Sequence, residues 1–256
     1  MASKYFTVAV KPTVTASLQH TAAFGSGEVL FDWTSFQVPR GANKLVSATA
    51  MVRAKGDATP TANPFGLQLL FSSTNTVSLG TINSAPDHRP SDDFLGFVEF
   101  AAASYTAASM QSTAVAVVAK GDDVTNFAPL ILEGNIGTGD NVGYDTIYVG
   151  GVTQGAFDWS SSLNAIAEDT DAEHADSKVI TMDGISMDVR AHFIAGDVVH
   201  IGTSVGTPAA DSLIGTVASA DSATQITLND VSPTALVDGD ILYNIHPVKL
   251  LLQFER

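Results

Sequence analysis

The feature that most constrains this chain is a near-duplicate: Ser47-Ala-Thr-Ala-Met-Val-Arg-Ala-Lys-Gly-Asp57 returns as Ser112-Thr-Ala-Val-Ala-Val-Val-Ala-Lys-Gly-Asp122. Both copies end in Ala-Lys-Gly-Asp, a turn sequence, and both lead into an apolar run, Phe65-Gly-Leu-Gln-Leu-Leu-Phe71 and Ala128-Pro-Leu-Ile-Leu132. Small and β-branched residues before a glycine turn, with an apolar run after it, describe strand, turn and strand. A unit used twice implies a body built from repeated β-hairpins. A third echo, Phe31-Asp-Trp-Thr-Ser35 and Phe157-Asp-Trp-Ser-Ser161, holds both tryptophans. Such repetition speaks of architecture and assembly and names no reaction.

Alternating apolar residues bounded by Gly, Pro, Asn and Asp predict strands over 5–10, 29–36, 45–54, 66–72, 94–101, 114–119, 130–133 and 145–149. Helical spacing is confined to two short stretches, 104–110 and 160–167. The polar, proline-containing connections over 55–64 and 84–93 are too long for the tight hairpins of an up-and-down barrel. The fold class expected is all-β: a jelly-roll-like β-sandwich over 1–167, with a second, smaller β-barrel module near the C-terminus. An acidic linker, 168–177, leads into that module over 178–246, where five short strands are joined by tight turns. Gly196-Asp197 and Gly239-Asp240 fit turns that enter a strand. The last stretch, 247–256, reads as one more strand. It either closes the sandwich beside 5–10 or belongs to the barrel.

Charge narrows the function classes. With 27 acidic against 12 basic residues, the formal charge is −15, and no window clusters Lys and Arg as phosphate neutralisation requires. Direct nucleic-acid binding and an anionic membrane surface are therefore excluded as expectations. Only 15% of residues are charged, against roughly a quarter in ordinary globular proteins. Ala, Thr, Ser and Gly take their place, giving flat, weakly hydrated faces suited to protein–protein contact. Cysteine is absent, so neither disulfides nor thiolate metal sites contribute. The first residues are too soon interrupted for a signal peptide, and no apolar run is long enough for a spanning helix, so synthesis in a cytoplasm without a targeting step is expected.

Candidate chemistry is sparse. Asp169, Asp171 and Glu173 have the spacing of half a calcium loop, but His174 and Ile180 stand where an EF-hand needs Gly and Glu. His192 and His200 flank a turn and could share a metal, though no third ligand lies near in sequence. Gly202-Thr-Ser-Val-Gly206 matches a nucleophile-elbow pattern with Ser204 as nucleophile, yet Thr207-Pro208 follows where the elbow needs a helix. Gly25-Ser-Gly27 and Gly137-Thr-Gly139 are too short for phosphate loops. Trp33 and Trp159 could stack on a sugar, or fill equivalent places in duplicated hairpins. The expectation is a non-enzyme with no cofactor and no metal.

Three segments, Gly196-Asp-Val-Val-His-Ile-Gly202, Ile214-Gly-Thr-Val-Ala-Ser-Ala-Asp-Ser-Ala-Thr-Gln-Ile-Thr-Leu228 and Ala235-Leu-Val-Asp-Gly-Asp-Ile-Leu-Tyr243, resemble small β modules of tailed-bacteriophage virion proteins. The likeness covers about the last quarter of the chain. The N-terminal part is similar in style to jelly-roll capsid decoration proteins. What the resemblance implies is a virion structural protein, a decoration or cement protein on the outside of a phage capsid. Its partners would be the major capsid protein or other virion proteins. It would act as a homo-oligomer, with a trimer as the expected form. The candidate lattice contacts are Tyr5, Thr7 and Ala9 on the first strand and Lys249, Phe254 and Arg256 on the last, each strand able to pair with a neighbouring chain. The alternative is a tail or fibre adhesin that binds host surface glycans.

Overall fold

A computed structural model describes residues 5–55, 61–87, 93–107, 113–119, 130–137, 142–159, 166–167, 178–183, 188–203, 209–237 and 239–256. The chain begins with β1 (Tyr5–Val10), α1 (Ala16–Thr21), β2 (Ala23–Phe24), β3 (Val29–Pro39), β4 (Asn43–Val52), β5 (Leu67–Ser72) and β6 (Phe94–Phe100). It continues with β7 (Thr106–Ala107), β8 (Ala114–Ala119), β9 (Leu130–Leu132), β10 (Asn135–Ile136), β11 (Tyr144–Thr153) and β12 (Phe157–Asp158). The remainder is β13 (Ile166–Ala167), β14 (Val179–Asp183), β15 (Val198–Thr203), β16 (Leu213–Ala220), β17 (Gln225–Leu228), β18 (Ile241–Asn244) and β19 (Val248–Glu255). The fold is all-β, as expected.

Two antiparallel sheets form a sandwich. One runs β1-β19-β4-β8-β7, with β9 placed end to end with β8 along β4. The other runs β10-β11-β5-β6, with β3 on the far side of β11. Alternation does the sorting: in β8 and β19 every second side chain is buried, β4 does the same on either side of one bulge, and a one-residue slip would turn that row to solvent. Leu45, Ala50, Leu250, Leu252 and Phe254 from the first sheet meet Leu67, Leu69, Phe71, Ile147 and Val149 from the second in one core. β19 lies between β1 and β4, so the last strand of the chain seals the sheet that the first strand begins.

The second body is a ring of pairings, β13-β14-β17-β16-β15-β18, closed where Ile166 faces Ile241. Its core is largely aliphatic, with Phe193 and Tyr243 the large exceptions, and it takes in Ala16 from α1. The two Gly-Asp steps share one geometry. Gly196 and Gly239 have φ of 87° and 93°, and Asp197 and Asp240 each accept a hydrogen bond from the backbone N–H three residues back, on Ile194 and Val237. Glycine is needed there because a Cβ disfavours positive φ.

Several expectations are corrected. The duplicated segments are not hairpins: β4 and β8 pair with each other, whereas β5 crosses to the opposite sheet and β9 returns to β4. Strand identity was legible in residue type, but strand partnership is set by burial across the sandwich. In the stretch expected to be helical from 104, a 3-10 turn at Ala102–Ser104 precedes β7, and 108–110 lie outside the described residues. Of 160–167, the described part is β13, which joins the barrel rather than the sandwich. The helix that does form, α1, was not foreseen. Its cap is Thr15, whose Oγ1 accepts from the Leu18 N–H at 3.4 Å.

Candidate functional site

The first strand is the outer edge of its sheet: among the described residues it pairs with β19 alone. Tyr5, Thr7 and Ala9 point to one exposed side. Register carries that side across the sheet, Ala9 to Leu251 to Thr49 to Val117, and Thr7 to Gln253 to Ser47 to Ala119. The resulting outer face mixes small residues with Leu251 and Gln253, carries the Lys44–Glu255 ion pair at 3.4 Å, and has Tyr5, Val117 and Ile131 as exposed apolar points. A hollow of about 220 Å³ opens beside Tyr5, Thr7 and Val46. Val46 is the residue the β19–β4 register skips, at a bulge.

The contacts expected on the last strand divide. β19 has neighbours on both edges, so it offers no free edge to a second chain. Phe254 is fully buried, stacked on Phe6 at 5.2 Å between ring centres, and serves the core; its place at the back of the hollow is the nearest it comes to solvent. Arg256 is exposed and donates from Nη2 to the Arg40 carbonyl at 3.2 Å. Lys249 lies on the outer face but at its far end, where it belongs to a different feature.

That feature is a cleft of about 340 Å³ between sandwich and barrel. From the sandwich come Lys11 just past β1, Met51 and Arg53 at the end of β4, and Lys249 at the start of β19. From the barrel come Arg190 and His192 around a 3-10 turn, with Ile194 and Asp197 before β15. His246 and Pro247, the step from β18 into β19, complete the wall. Four of the chain's 12 Lys and Arg residues thus gather at one place in a molecule of charge −15. One carboxylate, that of Asp197, shares the wall, 3.9 Å from Lys11. Burial raises the Asp197 pKa, opposed by the Ile194 N–H and by Lys11 and Lys249.

Arg53 is the buried member. Its Nε and Nη2 donate to Gln19 Oε1 at 3.3 and 2.9 Å and Nη1 to the Ala54 carbonyl at 3.0 Å, while His192 Nδ1 lies 3.3 Å from Nη1. The guanidinium stacks over Trp159 and Tyr243 at 5.5 and 5.6 Å. Burial lowers its pKa to about 10, which leaves it charged at neutral pH. Among the described residues no carboxylate pairs with it. The same burial pushes the Tyr243 hydroxyl up to about 12. On the cleft wall, burial first and then Lys11 and His200 lower the His246 pKa, and its buried Nδ1 has no hydrogen-bond partner among the described residues.

No family model, curated protein or solved structure matches the chain.

The other sequence candidates do not assemble. His192 sits against Arg53, while His200 places Nδ1 2.7 Å from the Asp211 carbonyl. Among the described residues no three of His, Cys, Asp and Glu come together as a metal site. The acidic run 168–176 and Ser204 lie outside the described residues, as do 138–139 of the second glycine pair. The first glycine pair is a turn held by Glu28, whose Oε2 accepts from the Gly25 N–H. The tryptophans are not equivalent: Trp159 is fully buried beyond β12, whereas Trp33 is half-buried in β3 and donates to the Val77 carbonyl at 2.8 Å. No helix among the described residues is long and apolar enough to cross a membrane.

Proposed function

We propose that this chain is a non-enzymatic structural protein that works by docking its six-stranded sheet, edge and outer face together, onto a protein lattice. The observation that carries the reading is the outer place of β1, which among the described residues pairs with β19 alone, beside a sheet face exposed at Thr7, Ala9, Val117 and Ile131. An unpaired row of backbone donors and acceptors is a template for strand addition, and natural proteins usually blunt such edges with charge or proline. Nothing of that kind stands on β1, whose sequence is Tyr-Phe-Thr-Val-Ala-Val. The hollow beside Tyr5 would receive a side chain of the incoming strand. Together with the resemblance of the barrel segments, this supports a decoration or cement protein on the outside of a phage capsid. Binding the assembled shell and not its free subunits would then stabilise the shell by mass action. Glycan adhesion is the weaker reading, since full burial of Trp159 removes half of its stacking platform.

The test is Thr7→Lys with Ala9→Lys, both at exposed positions, followed by counting copies in purified particles. Occupancy is expected to fall at least about tenfold, as like charges line the docking edge. Unchanged occupancy, with the variant shown to be folded, overturns the proposal.

A further inference from the structure

We propose that the cleft between sandwich and barrel binds a small organic anion with an apolar body, its phosphate or carboxylate head held between Lys11 and Lys249. The cleft has the size and mixed wall of a small-molecule site, with Met51, Ile194 and Pro247 beside the charged groups. Three of its cations, Lys11, Arg53 and Lys249, are gathered by neighbouring strands of one sheet, and the barrel adds the fourth, Arg190. Lys11 keeps its amine within reach of solvent at a loose 3.9 Å from Asp197 Oδ1, while Oδ2 of that carboxylate accepts from the Ile194 N–H, so one acid faces the two lysines and Arg53. Arg190 is engaged in a two-point pair with Asp188, at 2.8 and 2.7 Å, and so contributes field more than a free donor. Arg53 adds a buried positive charge that has no carboxylate among the described residues to offset it. A cation ligand would meet repulsion here. A nucleic acid would meet it everywhere else, because the molecule as a whole is strongly acidic.

The apolar wall distinguishes this ligand from a bare inorganic ion. Because both modules supply the lining, occupation also ties them together, so the bound form unfolds at higher temperature than the free one. This inference is independent of the lattice role: it concerns the inter-module end of the sheet, and Thr7→Lys with Ala9→Lys leaves the cleft lining untouched.

The experiment is calorimetric titration of the full chain at low salt with hexyl phosphate, alongside inorganic phosphate and 1-hexanol. Saturable one-to-one binding of hexyl phosphate is expected with a dissociation constant below about 1 mM, and at least about tenfold weaker binding of the other two. Lys11→Gln with Lys249→Gln should weaken hexyl phosphate at least about tenfold, while Lys178→Gln, on the barrel away from the cleft, should not change it. Should the double variant misfold, Ile194→Glu places a repelling charge at a position 55% exposed and is expected to give the same loss. The proposal is overturned by absence of saturable binding, by equal affinity for inorganic phosphate, or by loss in Lys178→Gln equal to that in the lysine pair.

Discussion

The sandwich and the barrel solve closure differently. The sandwich buries large side chains, among them Phe24, Phe65, Phe71, Phe100 and Trp159, in one core, and its first strand pairs with its last over the whole of β1. The barrel is smaller, its ring closes among the described residues where Ile166 pairs with Ile241, and it leans on α1 for part of its wall. Ser17 of that helix donates from both N–H and Oγ to the Asp211 carboxylate, Gln19 reaches the Asn244 carbonyl at 2.8 Å, and Arg53 stacks on Tyr243. Small bodies bury too little apolar surface to be robust alone. The difference teaches that the barrel's stability is partly borrowed, so the two modules should not fail symmetrically.

Matched core deletions test that asymmetry most strongly. Leu252→Ala in the sandwich and Leu242→Ala in the barrel remove the same atoms from fully buried sites, and each is expected to cost about 4 kcal/mol. In urea unfolding followed by amide exchange, Leu252→Ala should release both modules together, whereas Leu242→Ala should release the barrel first. A barrel that stays protected while the sandwich melts would break the comparison. Next comes Arg53→Ala, which strands Gln19 Oε1 and empties the space over two aromatic rings, at about 3 kcal/mol. It should also split one unfolding transition into two.

Gly202→Ala is expected to cost about 2 kcal/mol, measured by thermal melting, because its Cβ would lie 2.4 Å from the buried Tyr243 ring and 3.2 Å from the Ala16 carbonyl. The smallest effect is on pH. A histidine whose folded pKa lies below its unfolded value binds fewer protons when folded, so its contribution is full above the ordinary histidine range and is lost as pH falls through the folded value. For His246, partly exposed on the cleft wall and therefore screened, that loss should stay under about 1 kcal/mol and vanish in His246→Gln. Asp197 runs the other way on sign: its raised pKa means stability declines as pH rises through the carboxylate range, a slope that Asp197→Asn should flatten.

Much of the strand inventory was readable because burial alternates with sequence in β1, β4, β5, β8 and β19. Pairing was not, since Ser47–Val52 and Ala114–Ala119 carry the same residues whether they are hairpin copies or sheet neighbours. α1 escaped because it is six residues long and is held by its contacts with the barrel more than by its own periodicity. The edge at Tyr5, Thr7 and Ala9 could be named from its lack of charge. The cleft could not: Lys11, Arg53, Arg190 and Lys249 form no motif, and the one hint is that Lys11 precedes a proline and Lys249 follows one closely, marking places where a strand meets the module boundary.

Tyr5 and Glu255 are register partners. The chain therefore enters β1 and leaves β19 at one corner of the sheet. A short peptide bridging that corner would let the chain be opened elsewhere without disturbing the sheet. The same adjacency lets a fluorophore at one end and a quencher at the other act as a seal indicator, dark while β1 and β19 hold together and bright once they part.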